Sequence, residues 1–190
     1  MFRGFAVSQS SGVLTMTTDR RMPKHAQLLS PSSGGAYEAC FYFHDQQKQF
    51  RFSGTVKVLA LADAAAAART VVLADPVKAD EPASAELEEL FFKAWNELTT
   101  AMKLSFAKPP PGAKLSDESV TVLDHVEQLT AAAAAGKDLD PVQLKAGLAN
   151  FAVVLLGVEE VDYVDVTGVG RRIRFLKPSE YEWTLEEVNP

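Results

Sequence analysis

Three basic residues stand close together after a predicted strand and give the strongest chemical signal in the chain. Arg20, Arg21 and Lys24 follow the hydroxyl-bearing Thr17 and Thr18. Guanidinium and ammonium groups beside hydroxyls and the free amides of a helix start favour binding of an anion such as phosphate. The competing interpretation is a solvated charged turn, which the same residues would also form.

A second basic group lies near the carboxyl end, where Arg171, Arg172 and Arg174 follow two glycines. In a strand, Arg172 and Arg174 lie on one face, and Arg171 lies on the other face with Ile173. The local sequence favours exposed arginines here, and contact of one of them with an anionic ligand is the alternative.

Other chemistries have weaker support. The three histidines have no histidine or cysteine at metal-ligand spacing, so no metal site is predicted. The single cysteine, Cys40, lies in an aromatic strand and is predicted to be a small core residue rather than a nucleophile. Two further groups are predicted to be structural: a solvated acidic strand end (Glu159, Glu160, Asp162, Asp165) and core aromatic residues at helical spacing (Phe91, Phe92, Trp95).

Length and composition limit the class of protein. The 190 residues include 25 acidic and 19 basic side chains, a formal charge of −6, and 47% are hydrophobic. These values predict one globular domain. The acidic balance argues against bulk nucleic-acid binding, and no apolar run reaches the roughly 18 residues of a membrane span. One cysteine and no visible secretory signal predict a reducing compartment, namely the cytoplasm, with an organelle as the alternative.

The elements that would position these residues are strands at both ends of the chain. Alternating residues and turn residues predict a hairpin and an antiparallel pair in the first half. Asp19 is the predicted N-cap of a short helix that contains Pro23. The predicted strands cover 1–8, 12–18, 36–43 and 49–61, and the short helix covers 23–29.

The middle of the chain is predicted to be helical. Apolar residues at steps of three and four predict one amphipathic helix over 84–106, with Ser84 as a candidate cap and Pro109–Gly112 as its stop. The alanine runs at 64–68 and 131–135 indicate variable segments, about 60–85 and 113–147. Four strands follow, over 151–156, 161–166, 171–176 and 181–185, with Gly157, Gly168 and Gly170 in the turns. This order predicts a mainly β, α+β antiparallel barrel or sheet packed with helices.

Several segments together resemble the FMN-binding split-barrel proteins related to pyridoxamine 5′-phosphate oxidase, in the oxidase-like FMN-binding-domain branch. The segments occur in the order of that family: Phe2–Phe5 (FRGF), Thr18–Lys24 (TDRRMPK), Gln49–Gly54 (QFRFSG), a tryptophan helix with Trp95 closed by Pro109–Gly112, Val161–Val166 (VDYVDV), Arg171–Phe175 (RRIRF) and the terminal Val188-Asn189-Pro190. The resemblance implies a single split-barrel domain over 1–190 with flanking helices. It also implies FMN as cofactor, a homodimer, and flavin-dependent oxidation or reduction of a small molecule.

The resemblance also implies roles for individual residues. Thr18, Arg21 and Lys24 match a turn that grips the FMN phosphate, and Arg3 matches a basic residue that faces the flavin. Chemistry is expected to come from the flavin ring, so no side chain is assigned as catalytic.

Two further matches concern the flavin ring across a dimer interface. Gln49 matches a glutamine that reaches the ring from the partner, and Arg174 matches an arginine that contacts flavin across that interface. Thr99 matches a serine near the flavin.

The sequence also departs from the family pattern. Met22 stands in place of the phosphate-turn serine, beside Pro23, which has no amide hydrogen. Gly170-Arg171-Arg172 replaces the Arg-x-His pair that grips substrate in the true oxidases, so oxidation of pyridoxamine phosphate is not expected. The chain is also expected to begin inside the second barrel strand. These departures favour an alternative, a cofactor-free degenerate split barrel that acts as a dimeric interaction module. A haem-handling split barrel is a third possibility, disfavoured by the histidine spacing.

Overall fold

The computed structural model describes residues 2–5, 12–30, 35–62, 70–75, 81–139, 141–179 and 182–190. The strands are β1 (Phe2–Phe5), β2 (Val13–Asp19), β3 (Ala36–Phe43), β4 (Lys48–Leu61), β5 (Val71–Ala74), β6 (Glu81–Pro82), β7 (Phe151–Asp165), β8 (Arg171–Ser179) and β9 (Glu182–Val188). The helices are α1 (Pro23–Leu28), α2 (Ala85–Asn96), α3 (Thr100–Ser105), α4 (Asp117–Ala134) and α5 (Pro141–Asn150).

Two long strands, β4 and β7, form the centre of one antiparallel sheet, and we call this pair the β4–β7 ribbon. They pair from Lys48 opposite Asp165 to Ala60 opposite Ala152. At one end the sheet continues as β1-β2-β7-β4-β5-β6, and at the other end β3 adds to β4 while β8 and then β9 add to β7. The prediction of a mainly β antiparallel architecture with helices is therefore confirmed.

A β-bulge divides the ribbon into its two ends. Ser53 pairs with Glu160 and Gly54 pairs with Val158, so Glu159 is an extra residue on β7. A Cβ on Gly54 would overlap the Gly157 carbonyl oxygen and lie 2.9 Å from the Glu159 nitrogen, so the position requires glycine. The prediction of two strands separated by a turn at Gly157 is wrong, because the bulge bends a continuous strand there.

Each face of the ribbon's apolar end has its own core. On one face, Leu59 and Phe151 of the ribbon form a core with Phe91 and Trp95 of α2, and all four are at most 6% exposed. The Trp95 and Phe151 ring centroids are 5.2 Å apart. The opposite face buries Leu14, Val56, Val58, Ala152, Val154 and Leu156. The prediction that Phe91 and Trp95 are core residues is confirmed, and Phe92 packs against the same core.

The helical region differs from the prediction in its boundaries. Residues 84–106 form two helices rather than one, because the Thr99 hydroxyl caps a new helix by accepting from the Met102 amide at 3.3 Å. Ser84 caps α2 as predicted. The segment 113–147, predicted to be a variable insert, contains α4 and most of α5, and the alanine run 131–135 ends α4.

The start of α1 also differs. The helix begins at Pro23 as predicted, but its N-cap is Met22, which makes no side-chain capping bond. Asp19 is therefore not the N-cap. Its carboxylate instead accepts from the backbone amide and the guanidinium of Arg21.

The strands predicted over 12–18, 36–43 and 49–61 are present, but β5 and β6 lie in the segment 60–85 that was predicted to be variable, because β4 supplies β5 with a pairing partner. β1 pairs with β2 as a hairpin, and β3 pairs with β4 from Ala36 opposite Thr55 to Phe43 opposite Lys48. The prediction that Cys40 is a core residue is wrong: among the described strands β3 pairs only with β4, and Cys40 is exposed. The alanine run 64–68 lies outside the described residues. None of the described helices is both long and apolar enough to cross a membrane.

Candidate functional site

A cleft of about 730 Å³ opens between β2, β3 and the segment from α3 to Pro111, and we call it the barrel cleft. Its volume is within the range of about 300–1,000 Å³ that is usual for small-molecule sites. The lining is mostly apolar and includes Met16, Leu28, Phe41, Phe106, Val154 and Leu156. Such a surface favours a flat, largely apolar ligand.

Two of the predicted phosphate-binding residues lie at the barrel cleft. Thr18 and Lys24 both line it. Lys24 is exposed and has no hydrogen bond or ion pair with the residues described, so its ammonium is available to a ligand. Residues 19–24 carry three cations and one anion, which makes the segment electropositive. The Arg20 guanidinium, one of those cations, donates to the Leu61 carbonyl at 2.9 Å.

Arg21, the third predicted phosphate residue, is engaged elsewhere and is absent from the described lining of the cleft. Its Nε and Nη2 donate to the two carboxylate oxygens of Asp19 at 3.0 and 2.7 Å. Its Nη1 and Nη2 also donate to the carbonyl oxygens of Lys108 at 2.7 Å and Phe106 at 3.0 Å. The side chains of Arg21 and Asp19 are only 21% and 9% exposed.

A second, charged cleft of about 420 Å³ lies on the outer face of β4, β7 and β8, and we call this surface the polar face. Asp162, only 8% exposed, accepts from Arg172 Nε and Nη2, both at 2.9 Å. The hydrogen bond and the charge of Asp162 raise the pKa of Arg172. The prediction of a solvated acidic strand end is therefore wrong for Asp162, because β8 supplies its partner.

Arg174 lies beside Arg172 on the polar face. Its Nε donates to Glu160 at 2.8 Å, its Nη1 is 3.7 Å from Glu186, and a hydrogen bond to Glu160 raises its pKa. Nη2 has no hydrogen-bond partner in the described part of the chain, so it can donate to a ligand. Gln49 shares this face because it lies two residues before Arg51 on β4, and Arg51 lines the cleft.

The structure therefore separates the predicted site residues into two groups within one chain. Thr18 and Lys24 lie at the barrel cleft, while Gln49 and Arg174 lie on the polar face. Besides Arg21, two predicted residues join neither group as described. Thr99 is exposed and uses its hydroxyl to cap α3, and Arg3 lies in β1 at a register irregularity, with its side chain outside the described part.

Sequence reasoning missed two buried polar groups near the barrel cleft. Tyr37 lines the cleft, and its buried hydroxyl has no hydrogen-bond partner among the residues that the structure describes. Burial, helped by the charge of Glu159, raises the pKa of Tyr37 well above 10.0, so the hydroxyl remains a donor. His25 Nε2 is also buried, with no hydrogen-bond partner in the described part of the chain, and burial with the charge of Arg20 lowers the pKa of His25. The sequence does not single out Tyr37, because β3 also contains the aromatic residues Phe41, Tyr42 and Phe43.

No group of three potential metal ligands occurs among the residues that the structure describes. The polar donors that line the two clefts are hydroxyls, guanidinium groups, amides and one ammonium. Such a donor set fits the phosphate and polar ring edge of a flavin nucleotide, which fixed protein donors can hold.

Comparison with known families supports the resemblance. The family model described as pyridoxamine 5′-phosphate oxidase, FMN-binding domain, matches residues 1–60. These residues include β1, β2, α1, β3 and most of β4, and hence the Thr18–Lys24 turn. The resemblance of this chain to FMN-binding proteins related to pyridoxamine 5′-phosphate oxidase is thereby confirmed.

Individual relatives are similar over the whole chain. The pyridoxine/pyridoxamine 5′-phosphate oxidase 2 of Arabidopsis thaliana is 27% identical, and the alignment covers 100% of this chain and 78% of the relative. An uncharacterized protein of Saccharomyces cerevisiae is 24% identical, with 100% of this chain and 86% of the relative covered.

Solved structures show the fold. A pyridoxamine 5′-phosphate oxidase-related, FMN-binding protein from Nostoc punctiforme aligns with a TM-score of 0.69 at 24% identity, covering 100% of this chain and 78% of the other. PhzG from Burkholderia lata, solved with tetrahydrophenazine-1-carboxylic acid, aligns with a TM-score of 0.63 at 16% identity, covering 100% and 72%. The chain thus has the predicted split-barrel fold, as an antiparallel sheet with flanking helices.

Proposed function

We propose that this chain binds FMN as a homodimer and is a flavin-dependent oxidoreductase that acts on a small molecule. One observation carries the proposal. Thr18 and Lys24, which the resemblance places in the phosphate turn, lie together at a cleft whose volume and apolar lining suit a flavin ring.

The phosphate of FMN would bind at the electropositive end of the barrel cleft. Lys24 supplies an ammonium that has no partner among the residues described, and Thr18 supplies a hydroxyl. A hydrogen bond to a charged group contributes about 1.5–3 kcal/mol, so Lys24 alone would account for roughly a 10- to 100-fold gain in affinity. Met22 would contribute no side-chain hydroxyl at this turn, and Pro23 would contribute no amide hydrogen.

The flavin ring would lie against the apolar part of the cleft. Met16, Phe41 and Leu156 offer apolar surface, and the Tyr37 side chain also lines the cleft. Bound FMN supplies hydride or electron transfer, and the residues of this chain bind it, orient it and exclude water.

The separation of the site residues supports a homodimer. Gln49 and Arg174 lie on the polar face and not at the barrel cleft of the same chain. A twofold pairing would bring the polar face of one protomer to the barrel cleft of the other, which is the arrangement that the resemblance predicts. Arg174 Nη2 would then donate to the flavin while Nε stays bonded to Glu160.

The substrate is proposed to differ from pyridoxamine phosphate. Arg172 occupies the position of the substrate-binding histidine in the resemblance. Its guanidinium is held by two hydrogen bonds from Nε and Nη2 to Asp162, so those donors are not available to a substrate phosphate. Arg171 is exposed and pairs with Glu187 at 2.9 Å.

Titration with FMN and with riboflavin tests the proposal. We expect quenching of flavin fluorescence by the purified protein, tighter binding of FMN than of riboflavin, and a dimer by analytical ultracentrifugation. Lys24→Gln should weaken FMN binding about 10- to 100-fold while leaving riboflavin binding nearly unchanged. Lys137→Gln, on the turn after α4, is the matched control. Absence of quenching at high FMN would instead favour the cofactor-free interaction module. That function requires neither a phosphate bound to Lys24 nor a hydroxyl at the position of Met22.

A further inference from the structure

Arg21 connects two walls of the barrel cleft that are far apart in sequence. One wall is the end of β2 and the start of α1, and the other runs from α3 to Pro111. Asp19 orients the guanidinium on the first wall, and the carbonyl oxygens of Phe106 and Lys108 receive it on the second. Four of its five N–H donors are used in these bonds.

The acceptors are carbonyls that α3 leaves without helical partners. Phe106 is the C-cap residue of α3, and Lys108 lies beyond the helix end. The Phe106 carbonyl oxygen also accepts from Asn150 Nδ2 at 2.9 Å, so both of its lone pairs are used. Arg21 and Asn150 therefore fix one carbonyl from two directions, and a basic side chain is a favourable partner at this end of a helix.

The bonded segment contributes directly to the cleft. Phe106 and Pro111 line it, as do Met102 and Ser105 in α3. The Phe106 ring is also anchored in the core, 5.3 Å from the Phe151 ring. Displacement of the segment after Phe106 would change the width of the cleft while leaving that anchor in place.

From this geometry we infer that Arg21 is a positioning residue that holds the Phe106–Pro111 wall against the Thr18–Lys24 wall, and that it does not bind the phosphate itself. Its charge is matched by Asp19, so Lys24 remains the free cation at this cleft among the described residues. The inference rests on the proposed function for its consequence, because the wall matters for affinity only if the cleft binds a flavin.

Two measurements on Arg21→Met test this role. The first is hydrogen exchange of the Phe106, Ala107 and Lys108 amides in the protein without flavin; these amides bond the carbonyls of Lys103, Leu104 and Ser105. Their exchange should accelerate on the order of tenfold once the tether is lost. Asn150→Ala, which removes the other donor to Phe106 and carries no charge, should accelerate the same amides.

The second measurement is the ratio of riboflavin to FMN dissociation constants. Arg21→Met should weaken both flavins by a similar factor, on the order of tenfold, because the wall must be ordered on binding. The ratio should stay at the wild-type value, whereas Lys24→Gln lowers it. If Arg21→Met is poorly folded, Arg21→Lys supplies the same comparison.

Outcomes that overturn the inference are distinct from failure of the proposed function. A ratio lowered by Arg21→Met as far as by Lys24→Gln would show direct phosphate contact, and unchanged amide exchange would show that no tether exists. Failure of the wild-type protein to bind either flavin would refute the proposed function, and with it the effect on affinity. The amide exchange would still decide whether Arg21 holds the wall.

Discussion

The two ends of the β4–β7 ribbon are built by the same pair of strands and have opposite characters. At the apolar end, Val58, Leu59 and Val153 are completely buried, with a core on each face. At the polar end, Arg51 is exposed and Asp162 is paired with Arg172 on one face. The other face there carries half-buried aromatic rings, such as Phe50 and Tyr163 with centroids 5.0 Å apart.

This difference shows which end of the ribbon carries the core and which end carries paired charges. The apolar end has helices on one face and contributes Val154 and Leu156 to the barrel cleft on the other, whereas the polar end exposes the hydrogen-bonding groups of the polar face. The bulge at Gly54 stands between them and lets one continuous strand change its surroundings. Substitutions at the junction, at the apolar end and at the polar end should therefore have effects of decreasing size.

The largest effect is expected at the junction. Gly54→Val places a side chain on the Gly157 carbonyl oxygen and the Glu159 amide, so the ribbon must separate. We expect loss of more than about 5 kcal/mol of the free energy of unfolding, or failure to fold. Gly157→Ala is the control, since its Cβ would meet the movable Thr55 hydroxyl at 3.1 Å. Circular dichroism during urea unfolding measures both, and similar stability of the two variants would show that the bulge is not required.

An intermediate effect is expected at the apolar end. Phe151→Ala removes a completely buried ring that contacts Phe91, Trp95 and Phe106. The expected loss is about 3–5 kcal/mol by urea unfolding. Phe43→Ala at the other end removes a ring that is 49% exposed and should cost much less. Equal losses would contradict the assignment of the stabilising core to the helix-covered end.

The smallest effect is expected at the polar end. Asp162→Asn leaves the Arg172 guanidinium without its carboxylate, and the expected loss is about 1–2 kcal/mol because Arg172 is partly solvated. Glu187→Gln breaks the exposed pair with Arg171 and should cost less than about 0.5 kcal/mol. The difference between the two variants, measured by urea unfolding, should persist at moderate salt, and a loss of that difference in salt would place Asp162 among ordinary surface charges.

Much of the fold followed from patterns that are local in sequence. The dense aromatic residues of 36–43 and the alternation in 49–61 predicted β3 and β4 and their pairing, and the hydroxyl of Ser84 predicted the start of α2. Cys40 was misplaced because an aromatic strand gives no sign of whether it lies inside a sheet or at its edge. The break at Thr99 was missed because the apolar spacing continues across it.

The candidate site was predicted in part. Thr18 and Lys24 were found from their residue types, spacing and resemblance, and the structure brings them to one cleft. Arg21 is also basic and lies in the same turn, yet the two carbonyl oxygens that it bonds lie 85 and 87 residues away in sequence. Tyr37 gave no signal, because an unpartnered hydroxyl is a property of its surroundings in the folded chain.

The sequence by itself determined the class of fold, the strand-rich ends, the electropositive turn and the resemblance to FMN-binding split-barrel proteins. These depend on residue type and near spacing, which act over a few residues along the chain. Only the tertiary structure decided which arginines are bonded to carboxylates or carbonyls, and that Gln49 and Arg174 do not line the cleft that Lys24 lines. The physical reason is that hydrogen bonds such as Arg21 to Phe106 form between segments that pairing of distant strands brings together.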